Sequence, residues 1–173
     1  MESLSAFAES DRDAVFREVE GFIAAEGFAI VAKDPSRPWG GFFVIDEAQA
    51  PAFAERFFAG EGVETDGGQK LSPKILLVAP GKRLSWQYHH RRAEIWRVLE
   101  GEVAVVQSPT DDETTPLART AGDVVRLAQG ERHRLVGRDR WGVVAEIWRH
   151  TDPAAPSDES DIVRLQDDFG RAV

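Results

Sequence analysis

The sequence predicts an all-β protein, a small sandwich or barrel carrying an N-terminal helix and short extra helices. Two observations predict it. From Leu71 onward, short runs rich in β-branched and aromatic residues recur: KILLVAP, SWQYH, EIWRVLEG, EVAVVQS, DVVRLA, HRLVG and GVVAEIWRH. Turn signals separate these runs, among them Glu100-Gly101-Glu102 and the solvated loop SPTDDETTP, and strands so spaced read as a sandwich or barrel. The length of 173 residues, with 42% hydrophobic and 29% charged, suits one domain with a buried core.

The elements follow in order. Residues 10–26, SDRDAVFREVEGFIAAE, place Val15, Val19, Phe22 and Ile23 on one helical face, with Ser10 or Asp11 as cap and Gly27 as terminator. That amphipathic helix must pack on the barrel or on a second subunit. Phe28 to Lys33 and Gly40 to Ile45 read as strands, broken by Asp34-Pro35-Ser36-Arg37-Pro38. Pro51 opens a short helix, PAFAERFF, at a position that tolerates its missing N–H. GEGVETDGGQ, residues 60–69, is a polar loop. Thr151 to Glu159 is rich in Pro, Ser and acids and reads as a linker, after which DIVRLQDDFGR resumes order. The expected organisation is a single domain. Residues 1–36 form a helical and strand extension, and 37–173 form the barrel, with the C-terminal tail packed on it.

Composition excludes several function classes. A net charge of −9 does not suit nucleic acid or anionic lipid, whose phosphates need clustered Lys and Arg. The absence of cysteine excludes disulfides, thiolate zinc sites and cysteine nucleophiles, and fits a reducing cytoplasm. The N-terminus MESLSAFAESDRDAVF has no basic n-region or apolar h-region, so no secretory signal is expected. No apolar run approaches the roughly 20 residues that span a bilayer.

The chemistry concentrates in GKRLSWQYHHRRAEIWRVLEG, Gly81 to Gly101, which follows the pattern G-x5-Q-x-H-x4-E-x6-G. Alternate residues of a strand share a face, so Gln87 and His89 project together. Glu94 follows a turn and the returning strand aims it at the same spot. GDVVRLAQGERH supplies His133. An amide oxygen, imidazoles and a carboxylate suit Mn, Fe, Zn, Ni or Co, and fewer than six protein ligands leave room for water or substrate. By alternation His90 points away from His89. His150, at a strand end, is expected to be structural or exposed, and the five tryptophans to be core, with Trp96 able to wall the pocket beside Glu94. Arg91-Arg92 is either a solvated turn, support for Glu94 or an anion contact.

Gly81 to Gly101 resembles the first cupin motif, G-x5-H-x-H-x4-E-x6-G, with Gln87 replacing the first histidine. Gly122 to Gly137 is similar to the second, G-x5-P-x-G-x2-H-x3-N, with Ala128 for the proline and Gly137 for the asparagine. LSWQYHHRRAEIW resembles more particularly the type II mannose-6-phosphate isomerase domain, whose motif runs close to LSLQ-x-HHHRAEHW. RPWGGF, PGKRLS and DIVRLQDDFGR resemble other segments of that domain, in the right order from Arg37 to Arg171. Arg91 and Ile95 replace two motif histidines, and Phe169 replaces a tyrosine.

The resemblance implies a cupin double-stranded β-helix, or jelly-roll barrel. It implies one divalent metal on Gln87, His89, Glu94 and His133, and a role for Arg171 in isomerase activity. Lys74 and Arg92 are candidate anion contacts. The implied reaction is a metal-dependent aldose–ketose isomerisation of a sugar phosphate through a cis-enediol, with mannose 6-phosphate and fructose 6-phosphate as the lead pair. Bifunctional members carry a nucleotidyltransferase domain ahead of the barrel. Only 36 residues precede Arg37, so guanylyltransferase activity is not expected. A non-catalytic sugar-binding cupin and an Fe(II) dioxygenase are the competing functions. A cytoplasmic homodimer is the expected state, and no residue is identified as the general base.

Overall fold

The structure is a computed structural model, and it describes residues 11–173. Its elements are α1 (Arg12–Ala25), β1 (Ile30–Asp34), β2 (Gly40–Ile45), a 3-10 turn (Glu47–Gln49), α2 (Ala50–Phe58), β3 (Leu71–Val78), β4 (Trp86–Tyr88), β5 (Arg92–Glu100), β6 (Glu102–Ser108), β7 (Leu117–Thr120), β8 (Val124–Leu127), β9 (Arg132–Gly137), β10 (Gly142–His150) and β11 (Val163–Gln166). Two antiparallel sheets form the jelly-roll barrel. One sheet has the order β1-β2-β3-β10-β5-β8 and the other β11-β4-β9-β6-β7.

The central strands β3 and β10 of the six-stranded sheet are buried on both faces, and this decides where the polar residues go. On its outer face Ile75, Leu77, Ile95, Val143, Ala145 and Ile147 pack against Val15, Phe16, Val19 and Ile23 of α1 and Phe53, Phe57 and Phe58 of α2. On its inner face Leu76, Val78, Trp96, Val98 and Val144 meet Val103, Val105 and Leu135 of the other sheet. Strands covered on both sides lose the usual alternation of apolar and polar residues. All eight residues of β3 are buried, and Lys74 is among them. Because alternate residues share a face, Lys74, Glu94 and Glu146 all fall inside the barrel.

The helices cover the sheet within one chain. Asp11 caps α1 by accepting the Asp13 N–H, while Ser10 lies outside the described residues. Phe16 joins Val15, Val19 and Ile23 on the buried face, and Phe22 is only half-buried against the core. The β1 strand is hydrogen-bonded to β2, so residues 30–34 belong to the sheet. Gly101 turns β5 into β6 at φ 77°, where a Cβ would lie 2.4 Å from the Trp141 carbonyl oxygen.

Two features fix the C-terminal tail over the barrel mouth. β11 pairs with β4, setting Val163 opposite Tyr88 and Arg164 opposite Gln87. Arg134, almost wholly buried, donates to the Leu84 carbonyl at 2.8 Å, to Glu113 at 2.7 Å and to the Gln166 side chain at 2.8 Å. It ties β11 and the loop before β7 to β9. A buried guanidinium is tolerated only when paired in this way.

Candidate metal centre

The two sheets bring His89, Glu94 and His133 together inside the barrel. His89 follows β4, and His133 on β9 lies opposite Gln87 in the β4–β9 register, so both come from the five-stranded sheet. Glu94 comes from β5 across the barrel. Their ligand atoms all lie within 4.8 Å of one another, and all three residues are buried. His89 Nε2 is 3.2 Å from Glu94 Oε1, and His133 Nε2 is 3.5 Å from Glu94 Oε2.

Hydrogen bonding sets the tautomer of each imidazole. His89 Nδ1 lies 2.6 Å from the Asp161 carbonyl and His133 Nδ1 lies 2.9 Å from the Glu131 carbonyl. A carbonyl only accepts, so each Nδ1 carries the hydrogen and each Nε2 turns a lone pair toward Glu94. His133 Nε2 is buried with no hydrogen-bond partner. An orphaned buried nitrogen is costly unless something fills its place, and a cation fits it. Burial pushes His89 down to about 4, so it is neutral near pH 7, as a metal ligand must be. Burial alone would raise Glu94, but the Arg92 guanidinium and the two imidazoles outweigh it and hold the carboxyl far below its ordinary range.

Gln87 stands at the edge of this cluster. Its amide nitrogen is 3.4 Å from His89 Nε2, and its carbonyl oxygen accepts from the Ser85 hydroxyl. A half-turn of the amide exchanges oxygen and nitrogen and turns the oxygen toward the cluster. Arg92 is buried and committed. It donates to Glu94 Oε1 at 2.7 Å and to Ser157 at 2.9 Å, and it reaches His89 Nε2 at 3.1 Å. The guanidinium orients the carboxylate and also lines the pocket beside it. Arg91 reaches out to the Pro156 carbonyl at 3.0 Å and to Asp158 at 3.5 Å. His90 is exposed and meets the edge of Tyr88.

A pocket with about 620 Å³ of empty space, part of it continuous with solvent, reaches the cluster at Glu94 and Gln87 and the C-terminal tail at Ile162, Arg164 and Arg171. The buried Lys74, Glu146, Trp96 and Trp148 line it, together with the half-buried Arg37, Arg164 and Arg171. Lys74 Nζ sits over the Trp148 ring at 3.7 Å and pairs with Glu159 at 2.6 Å. Arg171 is held by Asp167, with contacts of 3.0 and 2.6 Å to one carboxylate oxygen. Arg164 Nε is buried without a hydrogen-bond partner, and burial and the nearby Arg171 both lower its pKa.

Glu146 is the buried carboxyl the sequence reading passed over. Trp148 donates to one oxygen at 2.8 Å and Trp96 to the other at 2.7 Å. Burial, followed by repulsion from Glu94, pushes it up to about 8. Its signal is a lone acid directly after the apolar run GVVA and two residues before a tryptophan. Asp161 was also missed. Its carboxylate accepts the His90 and Arg91 N–H groups at 3.0 Å each and the Ser157 hydroxyl at 2.6 Å, while its carbonyl holds His89.

All five tryptophans are buried, and Trp39, Trp96 and Trp148 also wall the pocket. His150 is buried and structural. Its Nδ1 accepts the Ser157 N–H at 2.8 Å, so its Nε2 hydrogen goes to Ser72 Oγ at 2.8 Å, and Ser72 in turn donates to Glu47. The serine is therefore not activated by this histidine.

With this geometry in place, the sequence matches the family described as Mannose-6-phosphate isomerase C-terminal over residues 56–167. The chain belongs to that family. It is 34% identical over 108 residues to the alginate biosynthesis protein AlgA of Pseudomonas aeruginosa, covering 62% of this chain and 21% of AlgA. It is 30% identical over 136 residues to the xanthan biosynthesis protein XanB of Xanthomonas campestris pv. campestris, covering 78% of this chain and 23% of XanB. The chain thus spans only about a fifth of the length of these curated relatives. Among solved structures, the oxalate decarboxylase of Lactobacillus farciminis superposes with a TM-score of 0.54 at 15% identity, over 78% of this chain and 33% of that one. At that identity the likeness concerns the cupin fold alone. No described helix is long and apolar enough to cross a membrane.

Proposed function

We propose that this domain is a metal-dependent aldose–ketose isomerase acting on a sugar phosphate, with mannose 6-phosphate and fructose 6-phosphate as the lead pair. The observation that carries the reading is the composition of one pocket. Glu94 of the buried His89–Glu94–His133 cluster lines it together with Gln87, and so do Arg37, Arg164 and Arg171. A phosphorylated sugar has two ends that need this pairing, a carbonyl or hydroxyl pair at one and a dianion at the other.

His89, Glu94 and His133, with Gln87 alongside, would hold a divalent ion, and such an ion would supply a Lewis acid for negative charge developing on the sugar oxygen. The protein's own groups do the rest. Arg92 fixes the orientation of Glu94 through its 2.7 Å contact. Asp161 and Glu131 carbonyls fix the rings of His89 and His133. Arg164, with its planar donor fork, suits the oxygens of a phosphate monoester, and Arg171, whose Nε and Nη2 are held by Asp167, adds a second positive charge beside it. Phe42, Leu76 and the indoles of Trp96 and Trp148 supply the apolar walls that keep water from the sugar carbons.

The test is an isomerase assay on metal-loaded protein across a panel of hexose and pentose phosphates. Conversion of mannose 6-phosphate to fructose 6-phosphate, with far weaker conversion of unphosphorylated mannose, is expected. No turnover of any sugar phosphate with Mn, Co, Zn or Ni would overturn the reading. Oxygen uptake with Fe(II) in its place would move the domain to the dioxygenases.

A further inference from the structure

Aldose–ketose isomerisation needs a group that removes a proton from carbon and returns it. The proposed isomerase reading does not itself name one, and the inference rests on that reading. Of the pocket's ionisable groups, the arginines stay protonated and have no acceptor. Glu94 is taken up by Arg92 and the two histidines. Lys74 is ion-paired with Glu159, whose own side chain is 70% exposed at the rim. Glu146 remains.

We infer that Glu146 is the acid–base residue of the pocket, the carboxylate that carries the proton between C1 and C2 of the sugar phosphate.

Its placement has three parts. It lies on the inner face of β10, with Lys74 of β3 on one side and Trp96 of β5 on the other in the strand register. Glu94 occupies the same face of β5, opposite Trp148. The carboxyl is 4% exposed, yet it lines the pocket. Each oxygen accepts one indole N–H, from Trp148 and Trp96, so the carboxyl is clamped and each oxygen keeps a second lone pair for a proton. The two buried indole N–H groups need an acceptor at this position, and the carboxyl supplies one oxygen to each. The neighbouring inner positions are filled by the aliphatic Leu76, Val98 and Val144, which have no group that could carry a proton. The raised pKa agrees with the assignment, since a group near neutrality serves in both directions.

The step balances as follows. A Glu146 oxygen takes the proton from C2 of the aldose. The C2–H electron pair becomes the C1–C2 double bond, and the carbonyl π pair moves onto O1. The O2 hydroxyl proton passes to O1, and an O2 lone pair forms the new C2 carbonyl. The C1–C2 π pair then takes the proton back from the Glu146 carboxyl at C1. The net change is one hydrogen moved from C2 to C1 and one from O2 to O1.

The test compares wild type and Glu146→Gln, both metal-loaded, with mannose 6-phosphate in D2O. Turnover and deuterium entry at C2 and C1 are followed by NMR, alongside metal content and sugar-phosphate affinity. The variant is expected to lose roughly 10²–10⁴-fold in turnover and in exchange. Metal content is expected to stay unchanged and KM to move only a few-fold. In Glu146→Gln the new amide faces an indole N–H, so the substitution is repeated on Trp96→Phe, which removes one of the two donors. The double variant is expected to fall by the same factor relative to Trp96→Phe alone. Wild-type turnover with Glu146→Gln within about fivefold of it in both rate and exchange would overturn the assignment and leave the isomerase reading standing. A wild type inactive on every sugar phosphate would overturn both.

Discussion

Replacing Asp161 by alanine tests the link between the C-terminal segment and the metal centre. The substitution removes an acceptor that holds three donors: the His90 N–H and the Arg91 N–H at 3.0 Å each, and the Ser157 hydroxyl at 2.6 Å. A hydrogen bond to a charged group contributes about 1.5–3 kcal/mol. The three share one carboxylate and do not add fully, and the donors near the surface regain water, so the expected loss is roughly 3 kcal/mol. For a domain of this size that is roughly 6–12 °C in Tm. Burial pushes the Asp161 carboxyl up, but the Ser157 hydroxyl and the two amides outweigh it and leave its pKa below 3.8. A depressed carboxyl contributes stability above its unfolded pKa and loses it as pH falls through the folded value. The deficit of the variant is therefore full at neutral pH and shrinks as the pH is lowered past 3.8. The same residue's carbonyl orients His89 at 2.6 Å, and loosening it is expected to weaken metal binding by roughly 10–100-fold. Thermal melts across pH and calorimetric metal titration read both effects. A variant that melts within 2 °C of wild type, by the roughly 2–4 °C per kcal/mol that applies here, and binds metal equally well would refute the reasoning.

Two further outcomes follow from particular contacts. Arg164→Leu is expected to raise KM for a sugar phosphate by roughly ten- to a hundredfold, the loss of one charge-assisted contact, with kcat changed only a few-fold. Steady-state kinetics check it, and an unchanged KM would remove Arg164 from the phosphate contacts. Gly137→Asn restores the residue of the second cupin motif, yet it is expected to destabilise. A Cβ there would lie 2.1 Å from the Ala79 carbonyl oxygen and 3.1 Å from that of Lys82. Overpacking against backbone costs about 1–3 kcal/mol or more, so Tm is expected to fall by several degrees in a thermal melt. An unchanged Tm would contradict the steric explanation for glycine at this position.

Much of the centre was legible because its signals are local. Gln87 lies on one short strand, His89 just past its end and Glu94 on the next, and strand alternation with one turn places them together. His133 needed only a second spaced motif. Gly40–Ile45 matched its observed strand, and α1 differed from expectation mainly in burying Phe16 more deeply than Phe22. The β7 strand, Leu117–Thr120, was missed because its burial pattern is almost entirely exposed, leaving no apolar signal. Glu146 and Lys74 were hard to place because β10 and β3 are buried on both faces, which hides which side is the barrel interior. Arg37 and Arg164 lie in recognised segments, but their convergence with Arg171 is a tertiary fact. So is Asp161, which meets His89 across 72 residues of sequence.

The central claim is that one divalent ion on His89, Glu94 and His133 makes this pocket a sugar-phosphate isomerase. Its most direct test strips the protein with chelator, restores metal stepwise and follows mannose 6-phosphate conversion in wild type and His133→Ala. Activity should return in proportion to bound metal and saturate at about one equivalent, with His133→Ala neither retaining the metal nor regaining activity. Full activity in the stripped protein, or metal-dependent activity undiminished in His133→Ala, would contradict it.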